Sequence, residues 1–319
     1  MSQTRAESVP TPLGAAQAVL AAKGRSFYWA SKLLGTRHAD RATRLYGFCR
    51  YVDDLADEAT SIASAQAALE QTRAAIRTGI THDPLIQDML ALMRECAIDP
   101  AIVLELIDGV ASDLGTVRMA DEAALLRYCY RVAGTVGLMM CAVLDVTDTR
   151  AHAHAVDLGI AMQLTNICRD VASDALLHRV YLPAALLGDV EAEALINPIA
   201  SLQPQVTACV ASLLEKAELY YRSGEQGLAY LPVGARSGIL VAARIYRAIG
   251  TTLQRHHYRY WPQRVVVSTA AKALITAHAL LTRPFALSFW RPHHAHNTML
   301  HATLHGLPCI RGAEPAHAP

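Results

Sequence analysis

Residues 163 to 174 read QLTNICRDVASD, and in a helix Asn166, Asp170 and Asp174 fall four apart on one face. Leu164, Ile167, Cys168 and Val171 supply apolar bulk beside them. A second acidic cluster lies upstream in YGFCRYVDDLADEA, where Asp53 and Asp57 are also four apart, with Asp54 and Glu58 beside them. Like charges at that spacing cost a helix ~0.2–0.5 kcal/mol. If partly buried at ~5 Å and an effective dielectric of 20, their repulsion approaches ~3 kcal/mol. Hard divalent cations offset that cost. Mg²⁺ or Mn²⁺ takes oxygen ligands, keeps several waters and bridges one or two carboxylates to a substrate phosphate. Taken singly, each cluster also reads as a solvated face. Together, on apolar helices, D-x-x-x-D and N-x-x-x-D-x-x-x-D facing each other would hold several metal ions over one diphosphate.

Arginines accompany both clusters. Arg50 lies three before Asp53 and Arg169 directly precedes Asp170. A guanidinium fork matches phosphate oxygens in pairs, and an ordinary local salt bridge is the competing reading for each. Arg25 in KGRSF, Arg179 in HRVYLP, and Arg264 with Lys272 are further candidates for the same anion.

The elements that must position these residues are helical. No proline occurs between Leu13 and Asp83 or between Ala101 and Leu182, so both stretches can hold several long helices. Helical apolar spacing recurs in RATRLYGFCRYVDDLADEA, AIVLELIDGVASDL, YCYRVAGTVGLMMCAVL and ARIYRAIGTTL. The best strand candidate is VVVST at 265–269, where a helical start is at least as plausible. The pattern predicts a single all-α domain of about ten helices over residues 16–290. Residues 1–15 are expected to be a disordered N-terminal segment. Residues 291–319, rich in His, Pro and Ala, are expected to form a loosely ordered tail whose histidines are solvated.

At 319 residues the chain is 52% hydrophobic and 18% charged, with a mean hydropathy of +0.20 and a net charge of +1. That balance argues against nucleic acid as a partner and leaves room for an apolar ligand. The longest soft stretch, Val132 to Leu144, is 13 residues, short of the ~20 that span a bilayer. The N-terminus lacks the order of a secretory signal, which points to the cytoplasm. Seven cysteines, with Cys49, Cys129, Cys141 and Cys168 in apolar pattern, read as reduced core residues.

The runs KGRSFYWASKLL, RLYGFCRYVDDLADE, YCYRVAGTVGLMM, QLTNICRDVASDALLHRVYLP and ARIYRAIG, in that order and followed by the Arg264 to Lys272 segment, resemble the squalene and phytoene synthase family. The similarity runs roughly over residues 20 to 275 and is greatest to the bacterial phytoene synthases. It implies an all-α isoprenoid synthase (class I terpenoid synthase) fold with a central cavity between two aspartate-rich helices. By resemblance Asp53 and Asp57 match the first metal motif, and Asn166, Asp170 and Asp174 the second. Asp53, Asp57, Asp170, Asp174, Arg50 and Arg169 are then the catalytic set. Arg25, Ser26, Phe27, Tyr46, Arg50, Gln163, Arg169, Arg179 and Tyr246 fall where the family contacts its diphosphates or allyl groups, with Arg264 and Lys272 beside them. Val132, Val136, Gly137, Leu138, Cys141 and Ala142 are candidate liners of the hydrocarbon cavity.

The resemblance implies condensation of two geranylgeranyl diphosphates, head to head, through prephytoene diphosphate to phytoene, the first committed step of carotenoid biosynthesis. It implies Mg²⁺ or Mn²⁺, three ions with the diphosphate bound, ATP as a non-hydrolysed activator, and no NADPH. It also implies peripheral contact with a membrane surface and with other carotenoid enzymes. Small Ser31 and Thr43 near the pocket floor would admit twenty-carbon tails. Two positions depart from the family pattern: Ser173 stands where Glu is usual, and His178 where Gly is favoured. The competing readings are a dehydrosqualene or squalene synthase acting on farnesyl diphosphate, and a non-catalytic relative serving as an assembly factor.

Overall fold

The computed structural model describes residues 12–282, 285–292 and 295–310; several side chains inside helices, Arg25 among them, lie outside the described residues, as do residues 1–11 of the N-terminal segment. The chain opens with α1 (Pro12–Lys23), α2 (Arg25–Ser31), α3 (Thr36–Asp57), α4 (Ile62–Thr78), α5 (Pro84–Cys96) and α6 (Pro100–Ala111). A two-residue strand, β1 (Val117–Arg118), leads into α7 (Glu122–Cys129), a π-helical turn (Tyr130–Gly134) and α8 (Thr135–Val143). Then come α9 (Ala151–Ala175), β2 (Arg179–Val180), α10 (Ala184–Leu187), α11 (Ala192–Ile196), α12 (Gln203–Gln226) and α13 (Val233–Arg255). The last are α14 (Thr269–Thr282) and α15 (Leu287–Trp290).

Local chemistry sets several of these boundaries. Asp83 and Asp99 cap α5 and α6 by accepting backbone N–H bonds, each followed by a proline in the first turn, where the missing N–H costs nothing. Ser61 and Ser64 form a reciprocal capping box at the start of α4. The VVVST stretch forms no strand: helix begins only at Thr269. Among the described residues the two strands are β1 and β2, paired in parallel with Val117 opposite Arg179.

Helix α9 is the axis of the domain. Its buried residues Val156, Ile160, Ala161, Leu164, Thr165, Ile167, Cys168 and Val171 wrap most of its circumference, as expected of a helix enclosed by others. It packs against α8, α12, α13 and the π turn. Two glycines set the closest approach. A Cβ on Gly137 would lie 2.2 Å from the Ala155 carbonyl oxygen, and one on Gly159 2.3 Å from that of Ala133. Only a residue without Cβ lets these backbones meet. The cysteines are free thiols, and Cys129, Cys141, Cys168 and Cys209 are buried.

The expectation of a solvated C-terminal tail does not hold for His301, Leu304 and Leu307, which are buried, although His305 is exposed. Leu304 and Leu307 are buried in the main core. Arg127 donates to the carbonyls of Thr303 and His305 at 3.0 Å each, and Tyr220 to that of Leu300 at 2.7 Å. The composition is polar, but the backbone carbonyls are matched by long-range donors on α7 and α12, a pairing with no local signature.

Candidate active site

On α3, Ala42, Leu45, Tyr46, Cys49, Asp53 and Asp57 recur every three or four residues, so one stripe changes along the helix from hydrocarbon to carboxylate. Helix α9 carries a matching stripe: Ala155, Gly159, Met162, Gln163, Asn166, Asp170, Asp174. The two stripes enclose two compartments. The apolar one is walled by α2, α3, α8, α9 and α13. The polar one is lined by Arg50, Asp53, Asp57, Asp113, Tyr128, Gln163, Asn166, Asp170, Asp174, Arg179 and Tyr181. Asp53, Gln163 and Asn166 line both, so they form the border.

The polar chamber concentrates negative charge where water is scarce. Burial pushes the Asp53 carboxyl up to about 7, with Asp57, Asp113 and Asp54 adding repulsion against the relief from Arg50. Burial and the neighbouring Asp170 push Asp174 up to about 7 as well. Asp170 behaves oppositely: burial raises it, but hydrogen bonds from Arg169 and Arg264 outweigh burial and hold it below the ordinary carboxylate range. Arg169 Nε lies 2.9 Å from Asp170 Oδ1, and Arg264 Nε 2.7 Å from the same oxygen. Arg179 Nη1 donates to Asp57 at 2.9 Å and its Nε to the Asp113 carbonyl at 3.2 Å. Arg50 pairs with Asp54 one turn on, while its Nε is buried with no acceptor.

The residues fit divalent cations. The side-chain oxygen of Asn166 is buried and accepts no hydrogen bond, an arrangement costly unless a cation completes it. Beside it, Asp53 and Asp174 are pushed up by burial and by neighbouring carboxylates, a cost that a cation would relieve. Asp53, Asp57, Asn166, Asp170 and Asp174 would hold such ions, whose charge would neutralise a diphosphate.

Three residues escaped the sequence reading. Asp113, in the loop after α6, accepts from Tyr128 at 2.8 Å and Tyr181 at 2.7 Å, and burial pushes it up to about 6. The two tyrosine rings stack at 4.8 Å. The available signal was a lone acid closing the apolar run AIVLELIDGVASDL. The β1–β2 pairing fixes the adjacent segment, which places Arg179 and Tyr181.

At the inner side of the border, Phe27 stands 5.2 Å from Tyr246 and 6.2 Å from Tyr46, ring to ring. Val132, Val136, Gly137 and Cys141 line the apolar cavity, whereas Leu138 and Ala142 are not among its liners. Ser31 lines it too, but Thr43 is buried on another side of α3, bonded to the Ala39 carbonyl at 2.7 Å. Half-buried Ser26 and Lys272 line neither compartment. Lys272 sits on α14, whereas Arg264 reaches Asp170 in the chamber.

Both departures from the family pattern have a structural account. Ser173 is exposed, bonded to the Asp170 carbonyl at 2.8 Å, and outside the chamber. His178 has φ +55°, the left-handed region that glycine occupies without penalty. Its exposed pairing with Glu193 at 3.2 Å adds little. His178→Gly should raise stability by ~0.5–1 kcal/mol, the left-handed penalty less the added chain entropy. A urea midpoint unchanged or lowered would show that the turn carries no strain.

The helical layers around a cavity with two facing aspartate stripes define the class of isoprenoid synthases. The squalene/phytoene synthase family profile matches residues 20–271, and the chain belongs to that family. It is 34% identical over 278 residues to a 15-cis-phytoene synthase of Pantoea ananas, covering 82% of this chain and 89% of that one. To a phytoene synthase of Thermus thermophilus it is 37% identical over 270 residues, covering 84% and 92%. Among solved structures, a dehydrosqualene synthase in complex with ligand superposes with a TM-score of 0.74 at 27% identity, covering 85% of this chain and 95% of that one.

Proposed function

We propose that the chain is a phytoene synthase that joins two geranylgeranyl diphosphates head to head. The observation that carries this reading is the border at Asp53, Gln163 and Asn166, where a carboxylate and arginine chamber adjoins a hydrocarbon-lined cavity. Bound cations would stabilise the departing diphosphate. The guanidiniums of Arg50, Arg169, Arg179 and Arg264 now sit on carboxylates. Cations held by Asp57 and Asp170 would release the forks of Arg169, Arg179 and Arg264 to diphosphate oxygens, with Arg50, paired to Asp54, lining the same chamber. Phe27, Tyr46 and Tyr246 present ring faces to the allylic cation left behind, and burial keeps the Tyr246 hydroxyl protonated by pushing it up to about 12. The apolar walls exclude water that would quench that cation.

The acceptor's alkene attacks the donor cation and loses a proton, giving prephytoene diphosphate. A second ionisation, ring opening and proton loss give phytoene, so no reductant enters. Incubation with geranylgeranyl diphosphate and Mg²⁺ or Mn²⁺, with and without NADPH, should give phytoene in both cases. Diphosphate release with only alcohols formed would refute the reading. The dehydrosqualene synthase likeness favours one second reading, a fifteen-carbon substrate, and farnesyl diphosphate as sole substrate separates the two.

Chain length is tested at the cavity wall. Ser31 lines the cavity with its hydroxyl turned to the Tyr28 carbonyl at 3.0 Å. Ser31→Phe should shift preference toward farnesyl diphosphate by about 10-fold or more. An unchanged ratio of kcat/KM for the two substrates would place the length determinant elsewhere. The product is insoluble in water, and Leu274, Leu281 and Phe285 are exposed along and just beyond α14. They supply an apolar contact for a lipid surface. Among the described residues no helix is long and apolar enough to cross a membrane. Flotation of the protein with liposomes tests that contact, and protein that stays unfloated would overturn it.

A further inference from the structure

Away from the catalytic chamber, at the opposite end of α9, three side chains converge on one point. His296 Nε2 lies 2.8 Å from Asp157 Oδ2, and His301 Nε2 lies 2.8 Å from Asp157 Oδ1. One donor atom from each residue falls within 4.8 Å of the others. Asp157 is 0% exposed and His301 5%. We propose that Asp157, His296 and His301 are the protein ligands of a Zn²⁺ site, distinct from the oxygen-lined chamber of the active site.

The chemistry of the donors selects the ion. Two imidazole nitrogens and a carboxylate suit Zn²⁺, which commonly takes three protein ligands with a fourth position left for water or another group. Mg²⁺ takes octahedral oxygen ligands with retained waters, and this buried nitrogen-rich pocket offers neither. Tetrahedral bonds of ~2.0–2.2 Å put neighbouring ligand atoms roughly 3.3 Å apart, so each N–O separation opens by about 0.5 Å to admit the ion.

An outer layer already orients the ligands. Ser223 donates to Asp157 Oδ2, and its oxygen lies 3.1 Å from His154 Nδ1. His154 in turn packs edge-on to His296, ring centroids 5.3 Å apart. Such second partners fix ring and carboxylate orientation in metal sites. The turn that carries His301 is preset as well: Asn297 caps it by accepting from the Met299 N–H at 3.1 Å. The site joins α9 to a segment 139 and 144 residues farther along the chain. Closing so long a loop is where a metal clip constrains the unfolded chain most. Asp157 lies nine residues before Asn166, ~13 Å along the same helix, so the ion would brace the helix that carries the second metal motif without reaching its ligands.

The test uses the full chain, stripped by chelator and reconstituted with Co²⁺ in excess Mg²⁺, which saturates the oxygen-lined chamber. One equivalent of Co²⁺ should survive gel filtration, show the strong visible bands of a four-coordinate ion, and be displaced by Zn²⁺. His301→Ala should abolish the bands and lower the Tm gained on adding Zn²⁺, whereas Asp170→Asn should leave the bands intact. His296→Gln, at a partly exposed ligand, keeps the test available should His301→Ala not fold. No retained Co²⁺, bands that survive His301→Ala or His296→Gln, or bands that vanish with Asp170→Asn would each overturn the site.

Discussion

Asp174→Asn is expected to cut phytoene formation by about 10²–10³-fold or more, the scale of losing a main electrostatic stabiliser, while making the metal-free protein more stable at pH 8. Both effects come from one charge. Burial and Asp170 push the Asp174 carboxyl up to about 7, against ~3.9 in an unfolded chain. Between those values the folded protein holds a proton that the unfolded chain releases. Stability from this group therefore falls as pH rises from ~4 toward 7, and above 7 the ionised, repelled carboxylate is a standing cost. Asparagine removes that cost and removes a cation ligand with it. A gain of ~1 kcal/mol would raise the Tm by about 1.5 °C at pH 8 and less at pH 6. For the native residue the same reasoning makes Mg²⁺ raise the Tm more at pH 8 than at pH 6, because the ion binds the deprotonated forms of Asp53 and Asp174. Thermal scans at the two pH values, beside product assays, check all of this. A less stable Asp174→Asn at pH 8 would mean that the carboxylate is held by partners rather than strained.

Gly159→Ala should destabilise the protein by ~3 kcal/mol or more, although Gly→Ala inside a helix ordinarily stabilises by ~1 kcal/mol. The reversal in sign is diagnostic. The new methyl would lie 2.3 Å from the Ala133 carbonyl oxygen, 2.6 Å from its carbon and 2.9 Å from the Gly134 nitrogen. These are backbone atoms and cannot swing aside, so α9 must move off the π turn that borders the cavity. Gly234, where an added Cβ meets nothing within 4 Å, supplies the comparison: Gly234→Ala should stabilise. Urea midpoints for the two variants, moving in opposite directions, test the claim, and a neutral Gly159→Ala would show that the helices separate at little cost.

What could be read from the sequence followed from periodicity. The aspartates of α3 and α9 were visible because i, i+4 spacing on an apolar helix is a local property, and the all-α architecture followed from the same spacing over many segments. Asp113 was not visible, because its tyrosine partners come from α7 and from the residue after β2, 15 and 68 positions away. Arg264 appeared only as a candidate, and the structure shows it reaching across 94 positions to Asp170. The histidines near the C-terminus misled in the other direction. Their composition suggested a solvated tail, whereas His301 is buried against an aspartate 144 positions earlier. Such pairings depend on how helices cross, and no sequence period records that.

The border at Asp53, Gln163 and Asn166 has a consequence for how this kind of enzyme can diversify. Carboxylates and arginines stand on one side, and the liners of the apolar cavity, such as Ser31 and Met140, on the other. Under the proposed function, substitutions on the apolar side would alter the tail length accepted while leaving the carboxylates and arginines intact. New chain lengths are then open to gradual change by single substitutions, each leaving a working catalyst, and the family's spread over different isoprenoid products becomes a matter of reshaping a wall.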